Sequence, residues 1–153
     1  MILNMKIWKL FNMRHEKMGK YSEETIKKTR NLISKGEYGL VAQIKNLEVW
    51  FCGDTLEKVT DEMIEFALDI VNAYQRNKEK YDGEALAEVK NCLCTGEKVD
   101  DSAILYQLGT PIIDVTTENG ACLWYGGVEE IGDHAPEVRL NRNIEITDIA
   151  LNG

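Results

Sequence analysis

The stretch TLEKVTDEMIEFALDIVNAYQRNKEKYDGEALAEVKNCLC, residues 55–94, carries the most regular periodicity in the chain, and the rest is read outward from it. Leu56, Val59, Met63, Ile64, Ala67, Leu68, Ile70, Val71 and Tyr74 recur at spacings of three and four, while Glu57, Asp61, Glu62, Glu65, Asp69 and Asn72 fall mostly on the other side. This predicts an amphipathic helix with one dry face, capped by Asp54 or Thr55. The apolar pattern lapses around Arg76-Asn77-Lys78 and resumes through Tyr81, Ala85, Leu86, Val89, Cys92 and Leu93, which predicts a second helix. So short a connection makes the two helices antiparallel neighbours. At about 1.5–3 kcal/mol per fully buried large side chain, the dry face stabilises the chain only if another surface covers it.

The flanking segments supply that surface. Ser22 is placed to cap a short helix from Glu23 to Ser34, with Gly36 at its left-handed end. From Glu37 to Gly53 the period changes to alternation: Tyr38, Leu40, Ala42 and Ile44 share one face, and Leu47, Val49 and Phe51 repeat the pattern after a break at Lys45-Asn46, which suits a hairpin. Beyond the helices, Asp101 is placed to cap a short helix holding Ile104, Leu105 and Leu108, ended by Gly109. Ile112 to Thr116 and Ala121 to Tyr125 then flank Asn119-Gly120, a strong hairpin signal, and Glu137 to Leu140 and Ile144 to Leu151 make a second hairpin around residues 141–143. The expected fold is α+β: a mostly antiparallel sheet of five or six strands with the central helical hairpin packed on one face. A basic segment, residues 1–21, precedes a single domain, residues 22–153.

The charge is polarised. From Met1 to Lys35, nine Lys and Arg stand against three acids, a balance of +6, so the remainder carries −14 of a net −8. A body this acidic repels nucleic acid, and the arm lacks the aromatic interleaving of a base reader. Lys6 and Lys9 interrupt the apolar residues near the start, so no run is long enough to cross a bilayer; Trp8, Leu10, Phe11 and Met13 leave open an amphipathic arm lying on a membrane or a partner. With no signal peptide in front of them, Cys52, Cys92, Cys94 and Cys122 read as reduced packing thiols, and the expected location is the cytoplasm. Cys92 and Cys94 do not have zinc-site spacing and face apart on a helix, His15 has no patterned partner, and no metal or cofactor is expected.

Two polar constellations remain. Asp133 beside His134 is the arrangement in which a carboxylate orients an imidazole as a base or ligand, although in a turn before Pro136 the ring more often bonds a backbone carbonyl. Glu129, Glu130, Asp133 and Glu137 near Trp124 and Tyr125 have the composition of an acidic rim around aromatic anchors. The candidate binding residues are therefore Trp124, Tyr125, Glu129, Glu130, Asp133 and His134, on the uncovered sheet face or in the loops around His134. The alternative is that the aromatic residues are core and the acids solvated.

From Asp100 onward the chain runs through a short capped helix, a strand containing Asp114, the Asn119-Gly120 turn, the Trp124-Tyr125 strand, Gly132-Asp133-His134 and a final strand ending Ala150-Leu151-Asn152-Gly153. This order resembles small prokaryotic families catalogued as domains of unknown function, in particular the one numbered twenty-two sixty-two, from which it differs in placing Asp133 beside the histidine. The resemblance implies an α+β architecture and brings no activity with it; similar small acidic domains also occur among bacterial immunity proteins. With no catalytic motif to set against the acidic body, the expected function is a non-catalytic bacterial protein-binding module with an acidic surface, an immunity-type neutraliser of a basic toxin being one form. The rival expectation is a metal-dependent or hydrolytic enzyme centred on Asp133 and His134.

Overall fold

A computed structural model describes residues 20–93 and 98–153. The expectations for Trp8, Leu10, Phe11, Met13, His15 and Cys94 fall outside these residues. Helix α1 (Glu23–Leu32) starts at Ser22, whose hydroxyl accepts the Thr25 amide, with Glu23 and Glu24 at the positive end of the dipole. It ends on an extended Ile33, not through a left-handed glycine, because the chain passes directly into strand β1 (Ser34–Lys35). Gly36 instead serves a close approach: a β-carbon there would lie 2.9 Å from Val41 Cγ1. Strands β2 (Leu40–Ile44) and β3 (Leu47–Phe51) form the expected hairpin, and Lys45 and Asn46 both take positive φ, 49° and 66°, as a two-residue turn matched to strand twist requires.

The central stretch is helical but begins later than its pattern suggests. A 3-10 turn (Leu56–Lys58) comes first, and Thr60, not Asp54 or Thr55, caps α2 (Asp61–Arg76) by accepting the Met63 amide. Both threonines precede an acidic, apolar run; burial of Val59 at 1% exposure and exposure of Leu56 show which turn the core engages. After Asn77, α3 (Lys78–Cys92) begins at once. A one-residue joint is too short to reverse two helices and separate their axes by about 8–10 Å. The two therefore meet at Tyr74 and Tyr81, ring centroids 6.1 Å apart, while α2 lies on β3 and β4 and α3 on β6. Helix α4 (Asp101–Leu108) is capped by Asp100, whose carboxylate accepts the Ser102 amide, where Asp101 was expected, and it closes at Gly109 with φ 64°.

Four further strands follow: β4 (Ile112–Thr117), β5 (Gly120–Trp124), β6 (Ala135–Asn141) and β7 (Ile146–Asn152). The β4–β5 loop is Glu118-Asn119, and Gly120 already pairs with Thr117. In the last hairpin Asn141 Oδ1 receives the amides of Asn143 and Glu145. The described residues contain one mixed sheet of seven strands in sequence order, two or one more than expected, because Ser34–Lys35 adds an edge and both C-terminal hairpins join the first. All neighbours are antiparallel except β3 and β4, which the three helices between them join as a parallel pair. Among the described residues no helix is long and apolar enough to cross a membrane.

The register sorts the sheet into two faces. Val49, Ile113, Leu123 and Val138 stand side by side across four strands at 0% exposure, and with Ile64, Ile70, Val71 and Val89 from the helices they form the core. The residues between them point to the other face, which none of the described helices covers. Lys20 and Tyr21 are tied to Asp69 of α2, at 3.0 and 2.7 Å, so the described chain is held to the helical layer from its first residues.

Candidate functional site

The uncovered face carries the chain's unusual polar chemistry. One cross-strand row runs Val41, Trp50, Asp114, Cys122, Arg139 and Asp148, and a second runs Ile112, Trp124, Glu137 and Ala150. Side chains at such positions stand about 5 Å apart, within reach of one another. The Trp124 indole donates to Asp114 Oδ2 at 3.1 Å, and the Trp50 indole donates to Glu48 at 3.1 Å. Glu137 is 5% exposed, yet its Oε2 accepts from Asn152 at 2.6 Å and from Arg139 at 3.5 Å, and the Cys122 thiol donates to it.

The electrostatics of the two carboxylates differ. Burial pushes the Asp114 carboxyl up, reinforced by the charge of Glu137, and the Trp124 hydrogen bond offsets only part of this. Burial also pushes Glu137 up, but the hydrogen bonds from Cys122, Asn152 and Arg139 outweigh it and hold that carboxyl below the usual range. Burial, then the hydrogen bond to Glu137 and its charge, pushes the Cys122 thiol up to about 12. It is therefore a poor nucleophile, since the thiolate is the reactive form. Arg139 is shared between Glu137 and Asp148, whereas among the described residues no Lys or Arg pairs with Asp114 or Glu48.

At the β1–β3 side of this face lies a groove of about 550 Å³, lined among others by Glu37, Tyr38, Glu48, Trp50, Asp114 and Thr116. Tyr38 and Trp50 hold their ring centroids 6.2 Å apart at 32°. Tyr38, expected on the buried face of its strand, is 80% exposed because it precedes the first paired residue of β2.

The residues singled out from sequence do not form one patch. Trp124 lies on the open face, but Tyr125 is 5% exposed and turns into the helical layer, where its hydroxyl donates to Asp82 at 2.9 Å beside that of Tyr74. Adjacent strand residues face opposite ways, so the pair had to be split. Glu129 and Glu130 sit on a 3-10 turn fastened to α4: Gln107 accepts the Glu129 amide and donates to the Glu130 carboxylate, both at 2.8 Å. Asp133 and His134 are exposed at the end of this loop. Asp133 has φ 63°, and the His134 carbonyl accepts the Val128 amide at 3.0 Å. The His134 ring lies against Gly153, and among the described residues no hydrogen bond joins it to the Asp133 carboxylate. No three metal-ligating side chains are gathered among the described residues. Cys52 and Cys92 are exposed, not packing thiols as expected, because each stands out of phase with its apolar neighbours.

Trp50 and Asp114 are the additions that the structure makes central, and Glu137, expected in a solvated acidic rim, joins them as a buried carboxylate. Their signal in the sequence is an acid or a tryptophan set between two apolar strand residues, as Asp114 is between Ile113 and Val115. Comparison of the chain with protein-family models, with curated proteins and with solved structures finds no match.

Proposed function

We propose that this chain is a non-catalytic protein-binding module that presents the uncovered face of its sheet to a basic protein. The observation that carries the reading is the composition of that face. Two tryptophans are fixed by hydrogen bonds to carboxylates, and Glu48 and Asp114 have no cationic partner among the described residues. Rigid aromatic side chains beside unpaired acids are the anchors and the steering charge of a protein interface. The low reactivity of Cys122 and the absence of a hydrogen bond between Asp133 and His134 give a catalytic reading less support. An immunity-type neutraliser of a basic toxin is one such module.

The test is capture of partners from the native host by the full chain and by variants reversed in charge on either side. Gln43→Arg with Asp148→Arg alters exposed positions on the open face, and Glu84→Arg alters an exposed position on α3. A basic partner that is held by the wild type and Glu84→Arg but lost from the open-face variant is the expected result. A partner indifferent to the open-face reversal refutes the reading.

A further inference from the structure

We propose that the groove bounded by Tyr38, Trp50 and Asp114 receives an arginine side chain of the docked protein partner. The inference rests on the reading of the open face as a docking surface and names the residue that anchors it. Three carboxylates, Glu37, Glu48 and Asp114, line the groove, and among the described residues no basic side chain does. An anion entering here meets uncompensated negative charge; a cation restores the balance.

The form of the groove selects among cations. Trp50 is locked by its bond to Glu48, and the Tyr38 ring lies beside it, centroids 6.2 Å apart at 32°, and is 80% exposed. A flat group sandwiched between two rings needs a centroid separation of about 7 Å, at roughly 3.5 Å per contact. Tyr38, at an exposed position, reaches it by a side-chain rotation into solvent that also takes up the 32° tilt. A guanidinium is planar, stacks on aromatic faces and directs a fork of N–H donors at a carboxylate; an ammonium does the last only as a point charge. Asp114 is the acceptor in place: its Oδ2 receives the Trp124 indole, and Oδ1 has no donor among the described residues. Its burial penalises the bare anion, which an arriving cation relieves. Through the Trp124 bond the groove is also continuous with the rest of the open face, so an arginine projecting from a docked protein reaches it while the partner covers Trp124.

The test uses the isotope-labelled full chain, with the indole N–H signals of Trp50 and Trp124 as reporters. It is titrated with three blocked five-residue glycine peptides bearing a central arginine, lysine or citrulline. The arginine peptide is expected to shift both signals saturably with a Kd on the order of 1 mM, as suits a single anchor. The lysine and citrulline peptides are expected to bind roughly tenfold more weakly or less. Asp114→Asn, which keeps an acceptor for the Trp124 indole, and Tyr38→Ala, at an exposed position, should each weaken the arginine response to a similar degree with the remaining signals in place. Equal binding of citrulline or lysine, or an undiminished response in Asp114→Asn, overturns the assignment. Loss of the peptide response while open-face charge reversal still abolishes partner capture sinks the arginine anchor alone and leaves the docking surface standing. Peptide binding combined with a captured partner indifferent to that reversal removes the protein source of the arginine and also overturns the proposal.

Discussion

Replacing Leu123 by alanine tests the division of the sheet into a covered and an uncovered face. Leu123 is the fourth of the five residues of β5, pairs with Ile113 and Val138, and all three are 0% exposed. A leucine truncated in such a site loses its transfer free energy and leaves a cavity, together about 3–5 kcal/mol. With a urea dependence of roughly 2 kcal/mol/M, the unfolding midpoint should fall by about 1.5–2.5 M. Its neighbour Cys122 points the other way, so Cys122→Ala removes one hydrogen bond to Glu137 and little packing, about 1 kcal/mol or near 0.5 M. Urea titration followed by far-UV circular dichroism measures both. Comparable losses for residues 122 and 123 would refute the argument, because they would show the second face to be covered, and the docking proposal with it.

The two open-face carboxylates should respond to pH with opposite signs. Asp114 has its folded pKa raised, so its ionisation costs stability once the pH passes the ordinary carboxylate range; Asp114→Asn should raise the urea midpoint at pH 7 and lose that advantage as the pH falls below that range. Glu137 has its folded pKa lowered, so it contributes stability above its unfolded pKa, lost as the pH falls through the folded value. Glu137→Gln should therefore destabilise the chain at pH 7 and progressively less toward acid. Iodoacetamide at pH 8, read by peptide mass mapping, should modify exposed Cys52 and Cys92 and spare Cys122 until the protein unfolds; early labelling of Cys122 would contradict its environment. Tyr125→Phe should cost about 1 kcal/mol in the same urea assay, since Asp82 keeps the Tyr74 hydroxyl and Lys78; no loss would show that the Tyr125 hydroxyl is not bonded.

Much of the architecture was legible from period and punctuation alone. The 3.6-residue repeat of residues 61–76, the alternation of Leu40-Ala42-Ile44 and Leu47-Val49-Phe51, the Ser22 cap and Gly109 are local signals, and a local signal survives in any context the chain adopts. The helix start was misplaced by five or six residues because Thr55 and Thr60 offer equivalent caps, and only packing of Val59 chooses between them. Strand Ser34–Lys35 escaped notice because two exposed residues have no period; their only evidence is the partner, Leu40 and Val41.

The candidate site was legible only in part, and the reason is the same. Sequence offered the uncovered face or the loops around His134 and named Trp124, but it set Tyr125 and the Glu129-Glu130 pair beside it because they are near in the chain. Alternation turned Tyr125 into the core, and Gln107 drew Glu129 and Glu130 to α4. What the tertiary structure alone decided is the parallel union of β3 with β4, which sets Trp50 beside Asp114 although 63 positions separate them in the chain. Composition and periodicity determine which residues must be buried and where the elements lie. Which polar residues come to share a face is set by register between distant strands, a property of the folded sheet that no local pattern encodes.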